Sequence, residues 1–227
     1  MYIWPVACCI DPQWKERCGP EWKKQLKEIV KESSATLEEA ANCHLALLDA
    51  ISWPIPRFEE AELQNNWLAQ KKELGDFYFR RYNRKFDEDD LKGIFLLNLA
   101  RMNLIRFSHT IPYKDMPGPP ILHLGFVGSL YWFHLASKPL LTGGGIASIN
   151  IPFVAVNFIR SKKRNVHMII HEILHLFGAR HDESGIMKPH SHETSFLNSE
   201  NKMFVEKSAK DFFENNLPLP NTERSLE

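Results

Sequence analysis

The sequence predicts an α/β (α+β) fold in which a twisted, mixed sheet of about five strands packs against helices. Two observations predict this fold class. Short apolar segments of strand length alternate with longer segments of helical periodicity, and two short strands joined by a tight link precede a late helix. Since 227 residues suffice for one substantial core but are few for two, we expect residues 1–227 to form a single domain.

The first three predicted elements are a strand, a helix and a strand. Val6–Ile10 has the length of a buried strand, and a loop is expected after it. The helix is opened by Gly19-Pro20-Glu21 and carries apolar residues at three-and-four spacing on one face. His44–Ile51 is again of strand length and stops before Pro54. We therefore expect two parallel strands joined by a right-handed crossover.

Two helices are predicted in the middle of the chain. Phe58–Leu74 is expected to end at Gly75 as a C-cap, and Asp89–Asn103 is the second helical segment. Between them, Arg80–Lys85 is basic and aromatic. Because no second basic cluster extends this stretch into a phosphate-binding surface, we interpret it as a solvated connector.

Three further strands and the start of another helix follow. The strands are predicted at Ile121–Trp132, Ile146–Ile151 and Val154–Ile159. Gly125 and Gly128 predict a bulge or bend in the first of them. Pro152 lacks a backbone donor, so one member of the last pair is expected at a sheet edge. The next helix is expected to begin at Val166 with Asn165 as its cap.

Charge and cysteine content indicate which binding partners and which cellular compartment to expect. Lys plus Arg and Asp plus Glu number 28 each, so we expect no nucleic-acid and no membrane partner. The chain as it stands has no signal peptide and no apolar run long enough to span a bilayer, so we expect it to be intracellular, or secreted if an upstream segment is missing. Cys8, Cys9, Cys18 and Cys43 favour free thiols over one disulfide.

The segment His171-Glu-Ile-Leu-His-Leu-Phe-Gly-Ala-Arg-His-Asp182 carries the chemical signal. On a helix, His171 and His175 project from one face a turn apart. Gly178 permits a left-handed conformation that ends the helix and returns His181 to the same point. Three neutral imidazoles with an open fourth position are typical of catalytic zinc, whereas structural zinc usually has four protein ligands. The pattern predicts one catalytic Zn²⁺.

This segment resembles the metzincin signature HExxHxxGxxH followed by Asp, in the form found in the adamalysin (reprolysin) branch. The resemblance continues in Ser184–Pro189, which is similar to the Met-turn of that family, with Met187 beneath the metal. It implies a metzincin-like fold with an N-terminal subdomain (1–180) that holds the sheet and the active-site helix. A small, irregular C-terminal subdomain (181–227) would end in the helix predicted at Thr194–Asn215.

The resemblance implies a zinc endopeptidase that acts on a peptide or protein. Glu172 would serve as general base toward a zinc-activated water, while Gly178, Asp182 and Met187 support the site. Residues at two places are expected to bind the substrate. They are Ile146, Ala147 and Ser148 at an open strand edge, and Pro189 and His190 in the wall of a side-chain pocket.

Two other interpretations stay open at this point. The chain would in one case be a catalytically inactive homologue that binds zinc and a protein partner. In the other it would be an intracellular zinc peptidase with a specialised substrate, such as an aminopeptidase or a peptidase for nucleic-acid-bound proteins. For a peptidase of nucleic-acid-bound proteins, residues 80–85 and 160–164 would have to form one basic surface. The sequence makes no prediction of oligomeric state.

Overall fold

The structure is a computed structural model that describes residues 1–54, 59–82, 85–111, 118–128, 144–148, 151–157, 161–182, 184–188 and 197–220. Its first elements are β1 (Tyr2–Ile10), α1 (Pro12–Cys18), α2 (Trp22–Ala41), β2 (Cys43–Ser52), α3 (Glu60–Tyr82) and α4 (Glu88–Ser108). They are followed by β3 (Leu122–Val127), β4 (Gly145–Ala147), β5 (Phe153–Asn157), α5 (Lys162–Leu176) and α6 (Ser199–Glu214).

The described strands form one five-stranded mixed sheet in the order β2-β1-β3-β5-β4, which confirms the predicted fold class. β1 is parallel to β2 and to β3, and β3 is parallel to β5. β4 alone runs antiparallel to its neighbour and lies at the edge, as the Pro152 argument predicted. The expected parallel pairing of the first two strands is likewise confirmed.

Helices cover both faces of the sheet. Because side chains alternate along a strand, β1 directs Trp4, Val6 and Cys8 into the large core that contains residues of α2, α5 and α6. Cys9 belongs to a second cluster that includes Ala100 and Leu104 of α4. The metal-binding candidates on α5 therefore lie on the face shared with α2 and α6.

The segment after β1 is a helix, so the prediction of a loop there is wrong. Asp11 caps α1 by accepting a hydrogen bond from the backbone of Gln13 (3.3 Å), and Pro12 begins the helix. The other carboxylate oxygen of Asp11 accepts from the backbone of Gly128 (2.7 Å). A seven-residue helix is too short for its periodicity to be seen, and it is held by contacts distant in sequence.

α3 passes through Gly75, so the predicted C-cap at that residue is wrong. A Cβ placed on Gly75 would lie 3.5 Å from Leu91 Cδ1, which shows how closely α3 packs on α4. This packing offsets the cost of about 1 kcal/mol for an interior glycine. The predicted connector at 80–85 partly belongs to α3, and residues 83–84 lie outside the described residues.

None of the described helices is both long and apolar enough to cross a bilayer.

β3 continues through Gly125 without a register shift, so the predicted bulge at that residue is wrong. A Cβ on Gly125 would lie 2.6 Å from the Trp53 ring and 2.9 Å from Leu104 Cδ2. Glycine is needed here for packing. β3 ends at Val127, and 129–132 of the predicted strand lie outside the described residues. Residues 149–150 and 158–159 of the next predicted pair lie outside them as well.

α5 begins earlier than predicted. Ser161 caps α5 by accepting from the backbone of Arg164 (3.4 Å), so Asn165 lies within the helix and does not cap it. The last helix, α6, is capped by Asn198, and 194–196 of its predicted range lie outside the described residues. The four cysteines are free thiols, as expected.

Candidate metal centre

α5 presents His171 and His175 one helical turn apart on one face. Their Nε2 atoms are 3.1 Å apart. The Nε2 atom of His181 lies 3.1 Å from that of His171 and 3.2 Å from that of His175. Three ring nitrogens therefore converge on one point, and the described part of the chain holds no other cluster of this kind.

Gly178 brings His181 back toward the helix. α5 ends at Leu176, and Gly178 has a φ of 87°, in the left-handed region that favours glycine. Ala179 then donates from its backbone to the carbonyl of Leu174 (3.0 Å), closing the reversal. This is the geometry that the sequence predicted for Gly178.

The hydrogen bonds of the Nδ1 atoms of His171 and His175 show which nitrogen of each ring carries the proton. Nδ1 of His171 donates to the carbonyl of Ile186 (2.8 Å), and Nδ1 of His175 donates to that of Ala179 (2.7 Å). Because a carbonyl oxygen only accepts, both Nδ1 atoms carry a proton, and in the neutral imidazoles both Nε2 atoms therefore present lone pairs. Lone pairs 3.1 Å apart repel each other unless a metal ion or a proton lies between them.

The donor set fits zinc. Tetrahedral ligands at 2.0–2.1 Å from zinc lie about 3.3–3.4 Å from one another, close to the observed spacing. Neutral imidazoles bound through Nε2, with Nδ1 bonded to a carbonyl, are the usual arrangement at such sites. His171, His175 and His181 would hold the ion.

The side chain of Glu172 extends from α5 to the edge strand β4. Its side chain is 8% exposed, and its carboxylate accepts a hydrogen bond from the backbone N–H of Ala147. Burial raises the pKa of Glu172 to about 8, against the opposing effect of the Ala147 bond. A Cβ on Gly145 would lie 2.5 Å from Glu172 Cγ, so the strand touches the carboxylate side chain.

The backbone of β4 alternates between its partner strand and its outer edge. Ser148 donates to Phe153 (2.8 Å), and Asn157 donates to Gly144 (2.9 Å), both across the β4–β5 pair. The alternation of an antiparallel ladder directs the backbone groups of Gly145 and Ala147 outward.

The structure thus separates the residues predicted to bind substrate. Ala147 is at the outer edge, where its N–H bonds Glu172. Ser148 is buried with its N–H on β5, and Ile146 packs against the α4 side of the sheet. Pro189 and His190 lie outside the described residues.

Met187 and Asp182 meet beside the histidines. Met187 is buried in the large core, and its carbonyl accepts from the backbone of Asp182 (3.1 Å). The preceding residue, Ile186, supplies the carbonyl that orients His171. The turn around Met187 is thereby joined both to α5 and to the residue after His181.

Three residues near the site were not singled out from the sequence. Asn201 bonds both backbone groups of Arg180, and Asn198 donates to the Asp182 carboxylate. Gly145 contacts Glu172. Only Asn198 carried a local signal, as a possible N-cap, and the other two act through contacts distant in sequence.

Comparison with known proteins finds similarity to solved structures alone. No family model matches the chain. No curated protein matches it either. Among solved structures, it is similar to a crystal structure of a zinc-dependent peptidase from Methanocorpusculum labreanum (strain Z), with 13% sequence identity and a TM-score of 0.41, over 88% of this chain and 100% of that chain.

Proposed function

We propose that the chain is a zinc-dependent endopeptidase of the metzincin type, nearest the adamalysin branch in its signature. The observation that carries the proposal is the convergence of three Nε2 atoms at 3.1–3.2 Å, with Glu172 on the same helix next to His171. His171, His175 and His181 would bind one zinc ion. No thiolate joins this cluster in the described residues, which favours a catalytic over a structural site.

Zinc, when bound, supplies a Lewis acid that lowers the pKa of a water molecule and polarises a carbonyl group. Glu172 is the proton carrier on the protein side. Its carboxylate accepts the proton as water attacks the peptide carbonyl, holds it, and delivers it to the nitrogen of the leaving amine. The carboxylate is regenerated in each turnover, and Ala147 fixes its orientation between the two transfers.

The substrate would bind as an extended peptide along the outer edge of β4. Gly145 and Ala147 direct backbone groups to that edge, and an added strand would pair with them. Since Ala147 N–H is bonded to Glu172, the peptide would use the carbonyl of Ala147 and the two backbone groups of Gly145. A peptide or protein is therefore the proposed partner, without nucleic acid or membrane.

The test is cleavage of an unbiased peptide mixture by the purified chain, with and without a chelator. We expect cleavage within peptides, its loss on chelation and its return when zinc is added back. Glu172→Gln preserves size and should retain zinc while turnover falls by about 10²–10⁴-fold. Zinc binding without cleavage of any peptide would support the non-catalytic interpretation, and release of N-terminal residues alone would indicate an aminopeptidase.

A further inference from the structure

The first turn of α6 holds the loop that carries His181. Asn201 is 4% exposed, and its amide makes two hydrogen bonds to one residue of that loop. Oδ1 accepts from the backbone N–H of Arg180 (2.8 Å), and Nδ2 donates to the carbonyl of Arg180 (2.9 Å). Both backbone groups of the residue just before His181 are thus bonded to one side chain.

Asn198 holds the other side of His181. Its Oδ1 accepts from the backbone N–H of Asn201 (2.7 Å), which caps α6. Its Nδ2 donates to the carboxylate of Asp182, the residue just after His181. The two amides, which we call the asparagine clamp, therefore grip the chain on both sides of the third histidine.

We propose that Asn198 and Asn201 are positioning residues that set the zinc affinity of the site by holding His181 in place. The inference rests on the function proposed above. His171 and His175 are placed by the hydrogen bonds of their own helix, whereas His181 lies beyond its end. Fixing a loop residue in one backbone conformation costs conformational entropy. The clamp holds the loop in that conformation before the metal binds.

The clamp also reaches the other two ligands. Arg180 lies directly after Ala179, whose carbonyl orients the ring of His175. Asp182 donates to Met187, which follows the residue whose carbonyl orients His171. A loop released by the clamp would therefore loosen the outer bonds of two imidazoles in addition to moving the third.

The first experiment measures zinc affinity of the full chain by competition with a chromogenic chelator. Asn201→Ala should raise the zinc dissociation constant by about 10-fold or more, the range seen when groups that orient metal ligands are removed. The matched control is Val205→Ala, which removes buried methyl groups from the same helix and leaves both amides in place. It should lower the melting temperature without changing zinc affinity.

A second experiment exchanges donor and acceptor across the Asn198–Asp182 bond. Asn198→Asp keeps the helix cap but replaces the donor with a second carboxylate facing Asp182, so zinc affinity should fall. Adding Asp182→Asn restores a donor and an acceptor with their roles reversed, and affinity should recover in the double variant. A purely structural role for Asn198 would not produce this coupling.

The outcomes separate the two proposals. A wild-type chain that binds no zinc overturns the proposed function and this inference together. If wild type binds zinc but Asn201→Ala binds it equally well, or Val205→Ala weakens it as much, the clamp is wrong and the proposed function stands. Should Asn201→Ala fail to fold, the combined Asn198→Asp and Asp182→Asn exchange tests the clamp instead. Additive effects of these two substitutions on zinc affinity would overturn it.

Discussion

The side chain of Glu172 rests directly on the backbone of Gly145. A Cβ placed on Gly145 would lie 2.5 Å from Cγ and 2.8 Å from Oε1 of Glu172, distances that no real methyl group tolerates. Gly145 is not among the glycines with positive φ, so its backbone conformation is open to other residues. Glycine is required here because the strand approaches the proposed general base so closely.

Gly145→Ala should therefore displace Glu172 and reduce kcat while zinc stays bound. A shift of about 1 Å in a catalytic group typically costs about 100-fold in rate. The matched control is Gly144→Ala, whose methyl group would meet the end of the Leu97 side chain at 3.0 Å and not Glu172. Peptidase assays on zinc-loaded protein check this prediction. Equal kcat values for the two variants would show that the contact does not position the base.

Acid should destabilise the fold through His123. Its ring stacks on Phe153 (centroids 4.7 Å apart), and burial lowers its pKa from 6.5 to about 4, with a smaller contribution from His109. Between pH 6.5 and 4 the unfolded chain binds a proton that the folded chain does not. Stability from this group is thus complete above pH 6.5 and falls as pH drops toward 4, by about 3 kcal/mol.

The measurement is urea unfolding of wild type and His123→Phe across that pH range. His123→Phe keeps an aromatic ring on Phe153 and has no proton to gain. The free energy of unfolding of the variant should therefore rise relative to that of wild type as pH falls. Acid loss of zinc affects both proteins and cancels in the comparison. A difference that is independent of pH would contradict the prediction.

The four thiols should be slow to react in the folded protein. Burial raises the pKa of Cys18 to about 11 and those of Cys9 and Cys43 to about 12, and it raises that of Cys8 well above its usual value. At pH 8 the thiolate fraction of Cys18 is then more than about 100-fold below that of an unperturbed cysteine. A disulfide-exchange reagent should modify four thiols rapidly in guanidinium and none rapidly without it. Rapid modification that Cys18→Ser abolishes would contradict the raised pKa.

The strands and long helices were predictable because each has a periodic pattern of its own. Elements held by distant contacts were not. α1 depends on Asp11 bonding to Gly128, more than a hundred residues away in sequence, and Gly75 stays helical because α3 packs on α4. Gly125 permits close packing of Trp53 within an unbroken strand. Local signals describe none of these three contacts.

The metal-binding candidates were predictable for the opposite reason. His171, His175, Gly178 and His181 lie within eleven residues, so helix geometry and one left-handed glycine bring the rings together. What surrounds them comes from other parts of the chain. Gly145 on β4 and Asn201 on α6 reach the site only after the sheet and helices have packed.

The most direct test of the zinc site is X-ray absorption at the zinc edge of the purified, zinc-loaded chain. We expect one zinc per chain, surrounded by three imidazoles and one lighter oxygen or nitrogen donor at about 2.0–2.1 Å, and no sulfur. In His181→Ala the imidazole count should fall to two. A chain that holds no zinc, or a wild-type spectrum with sulfur neighbours or fewer than three imidazoles, would contradict the proposal.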